Sequence, residues 1–210
     1  MGEGQGSLLE VGPGPGRLLA ALAEQKWTVS AVDAEPAMVD LSCARVPSAK
    51  DRIVVGRAEA LPFGDSRFDI VVAIGVLRYT DLTSALTELV RVLRPGGRAV
   101  IGLQNGRAPA MLWRRSVVLP AARAAKRVVP FGRALPPPRR RPLSLREARE
   151  VLTSAGLVVE RVEHVSCAVL PEPLDRMAPR LAYRTARLAE RSGSLRRALG
   201  TNRLFLAVKM

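Results

Sequence analysis

The residues of this chain that could do chemistry begin with two acids and three glycines. The stretch from Leu8 to Arg17 reads Leu-Leu-Glu-Val-Gly-Pro-Gly-Pro-Gly-Arg, and Asp33 stands at the end of the next apolar run. Glycine at 12, 14 and 16 after a short apolar segment describes a buried strand turning sharply into a helix, with no side chain where the backbone must approach a ligand. Spacing separates two kinds of ligand. A dinucleotide fingerprint, Gly-x-Gly-x-x-Gly, sets a pyrophosphate on a helix N-terminus, but here the third glycine comes one residue early. Glu10, just before the turn, would sit badly beside an anion. It suits a cationic amino-acid moiety, whose hydrogen bonds it could accept, usually through water. The turn therefore favours a positively charged ligand over a phosphate.

Other positions carry reactive or recognising groups. His164 is the only histidine. It falls near the end of an expected strand and could take a proton from a hydroxyl or an amine, a structural or surface role being the alternative. Tyr79 could donate a hydrogen bond that orients an acceptor. Arg78 stays protonated and cannot be a base, which leaves it an anion-binding role. Gln104 and Asn105 end another expected strand on the ligand side, and with Arg78 they are candidate substrate residues. The two cysteines, Cys43 and Cys167, have no metal-like spacing, and one histidine cannot complete a zinc site with them. No metal is expected, and both read as reduced, mostly buried thiols.

These groups need a scaffold that brings strand ends together. Arg17 to Gln25 places Leu18, Leu19, Leu22 and Ala23 on a helical stripe. Trp27 to Asp33 alternates as a strand and ends in the acid, and Pro36 opens a helix as a first-turn proline. Ile53-Val54-Val55 is a short strand. Asp69 to Gly75 is a continuous apolar one, of the kind buried on both faces of a parallel sheet. Asp81 is placed to cap a helix through Leu86, Leu89, Val90 and Leu93, which Pro95-Gly96-Gly97 should terminate, with a further strand over Arg98 to Leu103. Ser144 with Glu147 reads as a capping box for a helix that Gly156 stops, and Leu157 to Ser166 as the sixth strand. Leu174, Met177, Ala178, Leu181, Thr185 and Leu188 recur at helical spacing in a segment that Gly193 ends. Core packing is the plain reading of that stripe and substrate lining the other. Arg203 to Lys209 forms a last strand.

Five segments, taken in order, resemble the class I S-adenosylmethionine-dependent methyltransferases, of the type 11 small-molecule kind, over nearly the whole chain. Glu10 to Gly16 is similar to the family's first motif, and Asp33 to the acid that grips both ribose hydroxyls. Gly56-Arg57-Ala58-Glu59-Ala60-Leu61-Pro62-Phe63 resembles its adenine-binding segment, Phe68 to Leu77 its fourth strand, and Leu93-Arg94-Pro95-Gly96-Gly97 the turn before its fifth. The resemblance implies an α/β fold: a Rossmann-like, doubly wound, seven-stranded sheet with the last strand antiparallel. It also implies a basic insert after strand 5 and a helical insert between strands 6 and 7. The implied cofactor is S-adenosyl-L-methionine, held by Glu10, Gly12, Gly14, Gly16, Asp33, Ala34, Met38, Ala58, Glu59 and Ile74. Arg57 stands where relatives often have an acid for the adenine amino group, leaving a backbone amide of Ala58 and a share of the polar role to Glu59. Arg78 stands where many relatives have histidine. The family usually carries one or two helices ahead of the first motif. Here only residues 1–6, Met-Gly-Glu-Gly-Gln-Gly, too glycine-rich to hold structure, precede the strand, so cover is expected from another segment, a subunit or a lost start.

The implied activity is methyl transfer to a small-molecule acceptor, at an oxygen of a secondary metabolite or lipid-like compound, with His164 or Tyr79 assisting. A non-catalytic binding or scaffold protein of the same fold is the alternative. A nucleic-acid methyltransferase fits less well. Ile74-Gly75-Val76-Leu77 replaces the Asn/Asp-Pro-Pro-aromatic motif that orients a base, and aromatic residues are only 4% of the chain.

With 210 residues and 48% hydrophobic content, one domain is the default. Its parts are a cofactor-binding half at 7–103, a basic Pro/Arg-rich insert at 104–142, and a C-terminal half at 143–210 whose helical insert spans about 171–200. No run approaches the roughly 18 to 20 apolar residues of a membrane span, and no leader pattern opens the chain, which points to the cytoplasm. The net charge of +14 is uneven: residues 1–103 hold 11 basic and 12 acidic side chains, residues 104–210 hold 22 and 7. Between Glu88 and Glu147 there is no acid, while Arg107 to Arg146 contains eleven arginines and lysines. Met111, Leu112, Val118, Leu119 and Ala122 could form an apolar side opposite Arg114, Arg115, Arg123 and Arg127, although Pro120 interrupts any long helix. Residues 107–146 are expected to cap the pocket and to meet an acidic substrate, an acidic partner or an anionic membrane surface, which would make the protein peripheral. Arginine-rich coding bias explains the same excess without a ligand.

Overall fold

A computed structural model describes residues 6–113, 116–117, 142–167 and 178–210. Its strands are β1 (Ser7–Val11), β2 (Thr28–Asp33), β3 (Ile53–Val55), β4 (Phe68–Ile74), β5 (Leu93–Gln104), β6 (Leu157–Cys167) and β7 (Gly200–Lys209). The helices are α1 (Arg17–Glu24), α2 (Pro36–Arg45), α3 (Leu82–Val92), α4 (Pro109–Trp113), α5 (Leu145–Ser154), α6 (Pro179–Arg191) and α7 (Gly193–Leu199). One seven-stranded sheet runs β3-β2-β1-β4-β5-β7-β6. Strands β1 to β5 pair in parallel, and β7 lies antiparallel to both of its neighbours. This is the doubly wound α/β sheet with an antiparallel last strand that the motif order implies.

Side chains alternate across a strand, so each strand feeds two cores. Leu9, Val11, Val71, Ala73, Ile101 and Phe205 pack with Leu86 and Leu89 of α3 and Leu152 of α5. On the opposite face Leu8, Ala31, Ile70 and Val72 pack with Leu19 and Leu22 of α1 and Val39 of α2. Leu8 and Leu9 are consecutive and both wholly buried, on opposite faces, which is why a central parallel strand reads as an unbroken apolar run. Truncating either to alanine is expected to cost about 2–5 kcal/mol.

The helix signals hold where they are local. Asp81 caps α3, its Oδ2 accepting from the Ser84 amide at 2.9 Å. Ser144 and Glu147 form the full reciprocal capping box of α5, and Gly156 follows that helix with φ +90°. Three expectations need correction. Helix α3 ends at Val92, because Leu93 already pairs with Phe68 in the sheet, and Pro95 to Gly97 make an irregularity inside β5 rather than a helix stop. Gly193 does not end a helix but begins α7, capped by Ser192. The stripe Leu181 and Leu188 is not core: they are 53% and 61% exposed, while α6 turns the smaller Ala189 inward. Leu174, Met177 and most of the basic insert, including Arg114, Arg115, Val118, Leu119, Pro120, Ala122, Arg123 and Arg127, lie outside the described residues, as does the Cys167 side chain. No described helix is long and apolar enough to cross a membrane.

Candidate functional site

The turn after β1 is fixed by contacts that exclude side chains. Gly12 has φ +73°, donates its amide to the Val32 carbonyl at 2.8 Å, and would place a Cβ only 2.7 Å from that of Val76. Gly14, at φ +54°, donates to Asp33 Oδ2 at 3.1 Å, and its carbonyl accepts from Ser42 Oγ at 2.8 Å. Gly16 precedes α1, and a Cβ there would meet Ser42 Oγ at 2.9 Å. Arg45 completes the brace by donating to the Pro15 carbonyl at 2.6 Å. The turn is thus locked to α2, and glycine at 12 and 16 serves close packing as well as φ.

A cleft of about 670 Å³ opens above this turn at the C-terminal ends of β1, β2 and β4. It gathers Gly12, Gly14, Asp33, Ala34, Met38, Ala58, Glu59, Ile74 and Tyr79, nine of the residues singled out from sequence. Asp33 is held in place by two backbone amides, those of Gly14 and Glu35 at 3.1 and 3.0 Å. Ile74 is 40% exposed although its strand is otherwise buried, and its free side chain faces the cleft. Glu59 lines the cleft while its Oε1 accepts from the Asp81 amide at 3.1 Å and faces Arg57 at 3.5 Å. Arg57 lines the cleft too. Glu10 lies beneath, 5% exposed, its Oε2 buried with no hydrogen-bond partner. Burial without a compensating charge raises its pKa from 4.5 to about 7.

A second cleft, of about 190 Å³, adjoins the first, and Gly75 lines both. Arg78 and Gln104 line it together with Asn202. Asn105 does not join them. Its side chain is buried, with Nδ2 donating to the Gly200 carbonyl at 2.8 Å and Oδ1 accepting from the Arg107 amide and the Arg203 guanidinium. His164 is also apart from both clefts. It sits on β6, two strands beyond β5 and so roughly 10 Å further along the sheet, opposite Arg203 and packed against Gly200. Burial first, then the charges of Arg203, Arg197 and Arg196, hold its imidazole below the usual range.

Strand order, glycine turn and cleft agree with one family, and the family model described as a methyltransferase domain matches residues 9–101. Over that stretch the chain is similar to the class I S-adenosylmethionine-dependent methyltransferases. It is 37% identical over 91 residues to an uncharacterized methyltransferase of Mycobacterium tuberculosis, covering 43% of this chain and 37% of that protein. It is 34% identical over 104 residues to a ubiquinone/menaquinone biosynthesis C-methyltransferase of Geobacter sulfurreducens, covering 46% and 41%. The aligned region thus spans under half the length of these curated relatives. An S-adenosylmethionine-dependent methyltransferase of Mesorhizobium loti superposes with a TM-score of 0.63 over 99% of this chain and 92% of that one, at 18% identity, a likeness of fold.

S-adenosylmethionine is the cofactor that goes with this methyltransferase family, and the residues present fit it. The orphaned Glu10 oxygen is a buried acceptor of the kind a cationic amino group satisfies. Asp33 offers a fixed carboxylate to a diol, and Ile74 and Met38 offer apolar surface to a flat ring. Sequence reasoning missed the residues that hold this cleft in shape. Ser42 left a faint signal as a polar residue one turn after Val39 in an apolar stripe. The clamp on the 57–65 segment left none: Glu88 accepts from the Leu61 amide at 2.7 Å, and Arg91 donates to the carbonyls of Leu61 and Phe63.

Proposed function

We propose that the protein transfers a methyl group from S-adenosylmethionine to an oxygen of a small molecule seated in the smaller cleft. The observation that supports this best is the junction of the two clefts at Gly75, which lets an acceptor in one approach a methyl group in the other. When bound, the cofactor supplies an electrophilic methyl carbon with a neutral thioether as leaving group. The chain's own part is placement. Glu10, ionised, would hold the amino group of the amino-acid moiety, Asp33 the ribose hydroxyls, and Ala58 and Glu59 the edge of the base. Tyr79, whose ring walls the larger cleft, would orient the acceptor hydroxyl by a hydrogen bond. In-line displacement gains much of its rate from such positioning in a water-poor site, so a dedicated base is not required. This suits a site from which His164 stands apart.

Calorimetry tests cofactor binding, and incubation of the protein with cofactor and cell extract, followed by intact-mass analysis, tests transfer. An acceptor that gains one methyl supports the enzyme. A folded sample that binds neither S-adenosylmethionine nor its demethylated product overturns the reading, and binding without any methylated product favours a scaffold.

A further inference from the structure

The smaller cleft contains a cation that no described residue pairs. Arg78 is half-buried in a short 3-10 turn, Leu77–Tyr79, directly after β4. Among the described residues its guanidinium makes no hydrogen bond and no ion pair, and its Nε is buried without a partner. The guanidinium stacks on the Tyr79 ring, 4.9 Å from the centroid. Because Tyr79 lines the larger cleft and Arg78 the smaller, this stacked pair stands in the partition between them. Among the described residues the remaining polar side chains of the smaller cleft are the amides of Gln104 and Asn202, and no acid lines it. Behind it lies Arg203, 6% exposed, which donates to the carbonyl of the lining residue Leu143 at 3.3 Å and also has an unpartnered buried Nε. Arginine cannot relieve burial by losing its proton. A concave site with an unpaired guanidinium, two amide side chains and no carboxylate is built for an oxyanion.

The walls limit what carries that oxyanion. Leu77, Leu82, Leu103 and Leu143 line the cleft, so the group attached to the anion is apolar. Gly75 has φ +82°, and a Cβ added there would meet no atom within 4 Å, so the passage to the larger cleft is open. We propose that the methyl acceptor is an amphiphilic small acid whose carboxylate or phosphate is anchored by Arg78 in this cleft, while another of its atoms reaches past Gly75 to be methylated. This rests on the methyltransferase reading of the adjoining cleft. Arg78 is then the group that selects acceptors by charge. Pairing with a guanidinium lowers the nucleophilicity of an oxyanion, which is why the anchored group and the methylated atom are different.

The test uses the full chain saturated with S-adenosylhomocysteine, titrated by calorimetry with hexanoate, hexyl phosphate and neutral hexanol. At least one anion should bind about tenfold or more tightly than hexanol, and the tighter anion identifies the headgroup. In Arg78→Gln that preference should vanish, and in Arg78→Lys part of it should return, as a point charge replaces a fork. Far-ultraviolet circular dichroism and S-adenosylhomocysteine affinity of the same variants report whether they are folded. The proposal is overturned if hexanol binds as tightly as both anions, if Arg78→Gln keeps the preference, or if no probe binds to protein that does bind S-adenosylhomocysteine. Failure of S-adenosylhomocysteine to bind folded protein before any probe is added instead overturns the methyltransferase reading, and the acceptor assignment falls with it.

Discussion

The two sides of Gly75 handle buried charge in opposite ways. On the β1–β2 side the unpaired buried group is an acid, Glu10, and it can surrender its charge, its pKa standing at about 7. On the β5–β7 side the groups that no described residue neutralises are the arginines Arg78 and Arg203, the second hydrogen-bonded to Asn105 and Leu143 but with its Nε unpartnered. Burial and the neighbouring Arg107 lower the pKa of Arg203, yet a guanidinium still cannot become neutral. An acid in a closed site is a reversible defect that a cationic ligand repairs. A guanidinium is a standing one, tolerated only where solvent, amides or an anion meet it. The first side therefore suits a cationic group and the second an anionic one, which is the contrast the proposed acceptor would exploit.

The comparison breaks most readily at the glycine turn. Gly12→Ala must adopt φ +73° and drive its Cβ into Val76, and it should lose about 3 kcal/mol or more of stability with no measurable cofactor binding, as read by urea unfolding and calorimetry. Gly14→Ala meets open space and should lose only about 1–2 kcal/mol. Equal losses would mean that the turn is not held by contact with Val76.

Glu10→Gln sharpens the charge contrast. The folded carboxyl keeps its proton up to about pH 7, whereas an unfolded one releases it near 4.5. Its contribution to stability is therefore intact below pH 4.5, declines as the pH rises to about 7, and stays low above that. The glutamine variant should match the wild type at pH 4.5 and exceed it by up to about 3 kcal/mol at pH 8, while binding S-adenosylmethionine more weakly. Urea unfolding at both pH values checks the first part, and a pH-independent difference would remove the assigned burial effect.

Asp33→Ala should cost about 1.5–3 kcal/mol, or 10- to 100-fold, in cofactor affinity, because two fixed charged acceptors leave the ribose position. Unchanged affinity by calorimetry would show that the diol is held elsewhere. The smallest effect per residue belongs to segment 107–146. If its eleven cations meet an anionic membrane, each adds on the order of 1 kcal/mol, and binding to anionic vesicles should collapse in high salt. Equal co-sedimentation with neutral vesicles would assign the excess to coding bias.

What could be read from sequence divides along the same line. Glu10, Gly12, Gly14, Asp33 and the caps at Asp81 and Ser144 were legible because each is marked by residue types a few positions away, although the contacts that hold Gly12 and Gly14 reach Val32, Asp33 and Val76. Asn105 was not, since the partners that occupy its side chain, Gly200 and Arg203, are 95 and 98 residues distant. His164 was placed correctly near a strand end, but its separation from the clefts follows from β7 entering between β5 and β6, an order that periodicity does not encode. Leu181 and Leu188 were misleading for a related reason. Helical spacing marks a face and is silent about what covers it, and the small residues beside them, among them Ala189, gave a weaker signal while making the buried contact.

That interposed strand also sets the order in which the molecule can be made. During synthesis β6 emerges before β7, yet β6 has no partner in the sheet other than β7, and the far edge of β5 stays open until β7 arrives. Strands β1 to β5 can assemble on the ribosome as a five-stranded intermediate with an unprotected edge. Closure then requires the most sequence-distant pairing in the sheet, which makes it the slow step. A chaperone that shields the β5 edge should therefore raise the yield of folded protein more than one that binds the glycine-turn half.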